Sequence, residues 1–269
     1  MKKILLVFLL LITIQTISAQ NHCIVLISTN VGNMKVKLYN DTPKHRDAFI
    51  QLAEEGHFDG TLFYRVLKDY IIQGGSKDSR NAPPGKEIGY GDPKMTVDDE
   101  IRPNHFHKKG ALCAPRQPDA INPFKQSDVS QFFIVDGIVF RPGQLDTMEM
   151  AVNNPIKKEI KNKYMTLEIR KKLKELKKAN KVKEFRELAT PIKERIETEY
   201  ELHPGKLIFT DEQRRAYTTI GGAPQLDGQY TIFGEVIKGF DVIETIAQLK
   251  TDKNDRPYRD VIIRVTVLE

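Results

Sequence analysis

The chain has 269 residues, 40% of them apolar and 29% charged, with 13 Phe and 9 Tyr. That is enough apolar material for a substantial core, and it excludes a chain disordered throughout. The only two cysteines, Cys23 and Cys113, exclude a disulfide scaffold or a zinc site built on cysteine. A formal net charge of +6 raises a nucleic-acid or membrane-surface reading, which depends on where the charge lies.

Lys2 and Lys3 precede the run Ile4 to Ile14, in which Thr13 is the polar member. A membrane-spanning helix needs about 20 predominantly apolar residues, so this run is too short to span. A basic start, an apolar stretch and then Ile17-Ser18-Ala19 predict a secretory signal peptide over residues 1–19, cut after Ala19. The remainder is expected to be a soluble exported protein, periplasmic or secreted, in an oxidising compartment. Even there, Cys23 and Cys113 read as small apolar residues with free thiols rather than as a bridge.

From His22 to Phe140 the pattern is one of short strands and turns. Met34-Lys35-Val36-Lys37-Leu38 alternates apolar and charged residues as a half-buried strand does, after the turn residues Asn30-Val31-Gly32-Asn33. A helix follows, with Thr42 as its cap, Pro43 in its first position, Ala48, Phe49 and Leu52 on one face, and Gly56 as its stop. If Phe63 to Leu67 is a strand, its two-residue period sends Phe63 and Arg65 to the same face. The stretch from Gly74 to His107 reads as mostly loop, with Asp98, Asp99 and Glu100 as a solvated turn. His105 and His107 lack a third ligand at metal spacing. Gln131-Phe132-Phe133-Ile134-Val135 is too short and too aromatic or β-branched for a helix, and reads as a strand.

Residues 141–216 change character. Apolar residues recur at Ile169, Leu173 and Leu176, then at Phe185, Leu188, Ile192, Ile196 and Tyr200, a spacing that predicts amphipathic helices. Thr190-Pro191 reads as a fresh helix start and Thr210-x-x-Gln213 as a capping box. This stretch carries 19 basic and 13 acidic side chains, so the chain's positive charge sits here. The interleaved carboxylates favour a solvated charged helix face over a nucleic-acid surface. After it, Tyr230 to Val236 reads as a strand, Val242, Ile243, Ile246 and Leu249 share a helix face, and Val261 to Leu268 alternates into a closing strand. Each strand region alone is too meagre to close a sheet. The economical organisation is therefore one β-domain made of residues 20–140 and 217–269, interrupted by a charged helical insertion over 141–216.

The chemistry concentrates in Phe63-Tyr64-Arg65-Val66 and Tyr70-Ile71-Ile72-Gln73-Gly74-Gly75. An arginine among aromatic and aliphatic neighbours needs a partner for its charge, which Gln73 can help to hold; the alternative on this segment alone is a strand-edge arginine pointing into water. Further blocks follow in order: Ser130-Gln131-Phe132-Phe133-Ile134, Leu226-Asp227-Gly228 and Phe233-Gly234-Glu235-Val236. With them the chain resembles the cyclophilin-type peptidyl-prolyl cis-trans isomerases, in particular the exported bacterial kind, over both β parts.

The resemblance implies a mainly β fold: a closed eight-stranded barrel with two flanking helices, interrupted by the α-helical insertion, and a substrate groove on the barrel's outer face. It implies catalytic roles for Arg65 and Gln73. It implies peptide contacts from Phe63, Tyr70, Ile71, Ala114, Pro115, Gln131, Phe133, Leu226 and Tyr230, with Phe133 as the floor of a proline pocket. Tyr70 stands where the family usually has Phe, Tyr230 where it often has His, Gln225 where many eukaryotic members have Trp, and Pro115-Arg116 where Ala-Asn is common. The implied reaction is rotation about X-Pro bonds, needing no metal or cofactor, to assist the folding of exported proteins. The implied partners are proline-containing unfolded or exposed peptide segments of those proteins, with no nucleic acid and no stable membrane insertion once the signal is removed. A second reading of the same fold is a peptide-binding chaperone module that uses the helical insertion.

Overall fold

The computed structural model describes residues 23–268, so the signal peptide expected over residues 1–19 lies outside the described residues. In chain order the elements are strands β1 (Ile24–Thr29) and β2 (Gly32–Leu38), helix α1 (Pro43–Glu54), and strands β3 (Thr61–Leu67), β4 (Ile71–Gly74), β5 (Thr96–Val97), β6 (Ala111–Cys113), β7 (Ser127–Asp128) and β8 (Phe132–Val135). Helices α2 (Pro142–Tyr164), α3 (Leu167–Lys178), α4 (Val182–Glu201) and α5 (Asp211–Thr219) come next, then β9 (Ile232–Lys238), α6 (Phe240–Ala247) and β10 (Ile262–Val267). Eight strands close an antiparallel barrel in the order β1-β10-β3-β4-β8-β6-β9-β2, while β5 and β7 pair separately. The expected mainly β barrel is the fold observed.

Closure removes exposed sheet edges, and it needs strands that are apolar on their inner face. Val25 and Ile27 of β1, Met34, Val36 and Leu38 of β2, Ile72 of β4, Leu112 of β6 and Phe132 and Ile134 of β8 all enter one buried core. Helices α1 and α6 add Phe49, Leu52, Val242, Ile243 and Ile246 to that same core. The residues between them on β4, β6 and β8 are buried too, on the outer face: Ile71, Ala111, Cys113, Phe133 and Val135 form a second apolar cluster with Leu226 and Ile232. A barrel wall buried on both faces explains why these strands read as continuous apolar runs rather than as alternations. Cys23 and Cys113 are both free thiols, and Cys113 is buried in the second cluster.

Helix α1 begins at Pro43, but Thr42 makes no side-chain capping bond. The cap comes from Glu100 instead, which corrects the reading of Asp98-Asp99-Glu100 as a solvated turn. Glu100 is buried and accepts hydrogen bonds from Lys44 N at 3.2 Å, His45 N at 3.0 Å and His45 Nδ1 at 2.8 Å. A carboxylate at the positive end of the helix dipole satisfies donors that a helix start leaves unpaired. His45 is fully buried, and burial holds its pKa below the ordinary histidine value despite the opposing pull of Glu100. Its neutral ring donates through Nδ1, and Nε2 has no partner among the described residues.

A histidine kept neutral by burial stabilises the fold fully above its unfolded pKa of 6.5, and this contribution is lost as the pH falls below that value toward the lowered folded one. Urea midpoints should therefore fall between pH 7.5 and pH 5.5, and the fall should be smaller in His45→Gln. An equal slope in the two proteins would remove His45 as the cause.

Helices α2 to α5 lie between β8 and β9. The capping box at α5 forms as expected: Gln213 N donates to Thr210 Oγ1 at 3.2 Å, and Thr210 N donates to Gln213 Oε1 at 2.8 Å. Thr190-Pro191 starts no new helix, because α4 runs unbroken from Val182 to Glu201 with Pro191 inside it. Pro191 forfeits one hydrogen bond, but Phe185, Leu188, Ile192 and Ile196 stay half-buried along one face, and α4 packs against α2 and α3. Helix α5 continues to Thr219, past residue 216. Leu145 of α2 and Phe209 and Tyr217 beside or on α5 join Phe106 in a small third core, which ties the helices to the barrel. Among the described residues no helix is long and apolar enough to cross a membrane.

Candidate active site

A cleft of about 330 Å³ opens on the outer face of the barrel, above the second apolar cluster. Phe133 forms its floor and is almost wholly buried. Ile71, Leu226, Tyr70 and Tyr230 stand around it, with the Tyr230 ring edge-on to Phe133 at 5.4 Å between centroids. Arg65, Gln73, Pro115, Arg116, Gln117, Asp128 and Gln131 form the polar side. The cleft thus joins an apolar seat for a small ring to a bank of groups that can hold a peptide backbone.

The position of Arg65 follows from a bulge. Phe63 pairs with Gly74 and Arg65 with Gln73, so Tyr64 is the extra residue of β3 and the register shifts there. The shift breaks the two-residue period: Phe63 turns into the barrel core, while Arg65 comes out beside the cleft with 43% of its side chain exposed. Gly74 permits this, because a Cβ at that position would meet the Leu62 carbonyl oxygen at 2.7 Å and the Phe63 ring at 3.0 Å.

One chain of hydrogen bonds sets the amide orientations. An ionised carboxylate only accepts, so Gln131 must turn its Nε2 to Asp128 Oδ2, at 2.7 Å. Its Oε1 then accepts from the Tyr64 hydroxyl and from Gln73 Nε2, the latter at 3.3 Å. Gln73 Nε2 also donates to the Tyr64 hydroxyl at 2.7 Å, which leaves Gln73 Oε1 to accept from Arg65 Nη1 at 3.4 Å. Burial raises the pKa of the Tyr64 phenol and keeps it a neutral donor. On its other side Arg65 Nε lies 3.7 Å from the Asp255 carboxylate. Gly89, at φ +93°, lets the loop backbone close over Tyr64, whose ring would lie 2.2 Å from any Cβ there.

The Cyclophilin type peptidyl-prolyl cis-trans isomerase/CLD family model matches residues 24–147 and 208–267, more than half of the chain. The chain belongs to the cyclophilin-type isomerases. Among curated relatives, a Staphylococcus haemolyticus protein named "Putative peptidyl-prolyl cis-trans isomerase" is 28% identical over 244 residues, spanning 90% of this chain and 89% of its own. A protein of the same name from Staphylococcus aureus strain USA300 is 29% identical over 245 residues, 91% of this chain and 90% of that one. The fold is shared with a cyclophilin type peptidyl-prolyl cis-trans isomerase of Cryptosporidium parvum crystallised in the presence of the dipeptide Ala-Pro. It has a TM-score of 0.50 and 21% identity, and the match covers 91% of this chain and 99% of that one. The family model leaves residues 148–207 unmatched, a stretch that runs from within α2 to beyond α4.

In this cyclophilin the cleft gathers Arg65, Tyr70, Ile71, Gln73, Pro115, Gln131, Phe133, Leu226 and Tyr230. Two residues expected there lie elsewhere. Phe63 is in the barrel interior because of the bulge, and Ala114 is buried in the same core, its N donating to Thr231 O at 3.1 Å. Gln225, at the tryptophan position, is exposed and does not line the cleft. Two of this chain's departures from the family pattern touch: the Arg116 guanidinium lies 5.2 Å from the centre of the Tyr230 ring and is anchored by Gln229 O at 2.6 Å. Tyr64, Asp128 and Asp255 were not legible as site residues, although the three-residue step from Asp128 to Gln131 was a usable signal. Among the described residues no group of three or more His, Cys, Asp or Glu side chains is placed to hold a metal ion, and His105 pairs with Asp41 instead.

Proposed function

We propose that this cyclophilin catalyses rotation about X-Pro bonds in unfolded or exposed segments of exported proteins, with Arg65 as the catalytic donor. The observation that carries this reading is the Arg65 guanidinium, held beside an apolar cleft by a glutamine whose orientation is determined through Gln131 and Asp128. Rotation breaks amide resonance, a barrier of roughly 18–20 kcal/mol, and is slow, at tens of seconds. As the bond twists, the prolyl nitrogen becomes pyramidal and regains a lone pair. A permanently charged donor bonds that nitrogen only then, which is the differential binding that speeds a reaction.

Bringing a ten-second process to milliseconds takes about 10⁴-fold, or roughly 5.5 kcal/mol. A hydrogen bond from a charged group contributes about 1.5–3 kcal/mol, so Arg65 supplies part of it. The remainder comes from the grip on the adjoining peptide, which Gln73 and Gln131 are placed to hold while the bond turns, whereas Phe133, Ile71 and Leu226 bind the ring alike throughout. Support for a prolyl ligand comes from the Cryptosporidium structure in the presence of Ala-Pro. Support for export comes from the basic start, the apolar run and Ile17-Ser18-Ala19.

Exchange spectroscopy on an Ala-Pro peptide tests the reaction, and the N-terminal residue and compartment of the protein recovered from its producing cell test the export. We expect accelerated cis-trans exchange at catalytic protein concentrations and a chain starting at Gln20 outside the cytoplasmic membrane. Binding without acceleration would leave the chaperone reading, and cytoplasmic protein retaining Met1 would end the export reading.

A further inference from the structure

The helical segment reaches the proline pocket through one carboxylate. Asp227 follows the pocket residue Leu226 and accepts three hydrogen bonds: from His107 N at 2.8 Å, from His107 Nδ1 at 2.9 Å and from the Tyr217 hydroxyl at 2.6 Å. His107 and Tyr217 are both fully buried, and neither lines the cleft. The His107 ring lies behind the pocket, 7° from parallel to Phe133 at 6.4 Å between centroids, and edge-on to Tyr230 at 6.3 Å. Tyr217 stands on α5, in the small core that also holds Leu145 of α2 and Phe209. The fit is close: a Cβ on Gly222 would come within 2.3 Å of the His107 carbonyl oxygen and 2.7 Å of Tyr217 Cε1.

We infer that Tyr217 is a positioning residue for the proline pocket: acting through Asp227, it holds His107 behind Phe133 and Leu226 at the wall, so that α2 and α5 serve as the backing of the site. The inference rests on the isomerase reading of the cleft. It also gives the helical segment a role at the barrel that does not need its excess of basic side chains. The proline ring keeps its shape while the bond before it turns, so pocket contacts are made equally in the ground and transition states. Loosening them therefore raises KM and leaves kcat in place, whereas losing a donor used only in the transition state lowers kcat.

The test uses full-length Tyr217→Phe, which removes the hydroxyl and keeps the ring, together with Asp227→Asn and the double variant. For Tyr217→Phe, KM for an Ala-Pro peptide should rise about fivefold with kcat unchanged, less than the roughly tenfold or more that a hydrogen bond to a charged acceptor is worth, because only part of that loss reaches the pocket. In the Asp227→Asn background the same change should add less than about twofold, because residues acting through one group are not additive. A KM within about twofold of the wild type in Tyr217→Phe, a loss in kcat instead, or effects that multiply in the double variant would overturn it. If the wild-type chain does not accelerate exchange, the isomerase reading falls by itself. The inference then stands or falls on the Kd for the same peptide, which must weaken about fivefold in Tyr217→Phe.

Discussion

Replacing Arg65 with alanine should lower kcat for prolyl isomerisation by about 10- to 150-fold while leaving the fold and peptide affinity nearly intact. The size follows from a charged hydrogen bond of about 1.5–3 kcal/mol at roughly 1.4 kcal/mol per tenfold in rate. The fold is spared because Arg65 is half-exposed and its contacts, Gln73 Oε1 at 3.4 Å and the Asp255 carboxylate at 3.7 Å, are long. Such a loosely held, partly exposed ion pair adds little to stability. It leaves the guanidinium free to tighten on a pyramidal nitrogen, as catalytic bonds commonly do only in the complex. Arg65→Lys keeps the charge but replaces a planar fork with a point donor, and should recover only part of the rate. Kinetics by exchange spectroscopy, with circular dichroism to check folding, decide the matter. A folded Arg65→Ala protein with the wild-type rate would sink the mechanism.

How far the sequence could be read depended on whether a residue's neighbours lay close along the chain. The strands, α1 and α6 were legible because alternation and helical spacing are local signals, whereas the closed barrel and the cleft around Arg65, Gln73 and Phe133 followed from the resemblance that the ordered blocks carry. Phe63 was misplaced because a single extra residue, Tyr64, reverses the facing of everything before it, and a bulge leaves no mark in hydrophobic periodicity. Asp255 was invisible for another reason: it approaches Arg65 from the loop before β10, held by a Val66 N to Asp255 O hydrogen bond of 2.8 Å that no local pattern encodes. Pro191 shows the reverse case, a strong local signal overridden by packing. Glu100 joins both lessons. Its run of carboxylates is typical of a solvated turn, and only the fold shows that one of the three is turned inward onto α1.

That buried carboxylate should make Glu100→Ala strongly destabilising. The substitution removes the cap from Lys44 N and His45 N and orphans the buried His45 Nδ1. Loss of a helix cap costs about 1–2 kcal/mol and an unsatisfied buried donor about 1–3 kcal/mol. Together they amount to about 2–5 kcal/mol, a large share of the 5–15 kcal/mol that holds a typical domain. At roughly 2–4 °C per kcal/mol for a chain of this length, Tm should drop by about 10 °C. Glu100→Gln tests the charge separately. Its amide offers one accepting oxygen to three donors, so it should recover less than half of the loss. The damage spreads along the wall of the site, because Glu100 N also donates to Thr231 Oγ1 at 2.9 Å, beside the cleft residue Tyr230. Calorimetry on the three proteins at pH 7.5 measures the effect, and a Tm shift in Glu100→Ala of less than about 3 °C would mean that water or Thr42 takes over the cap.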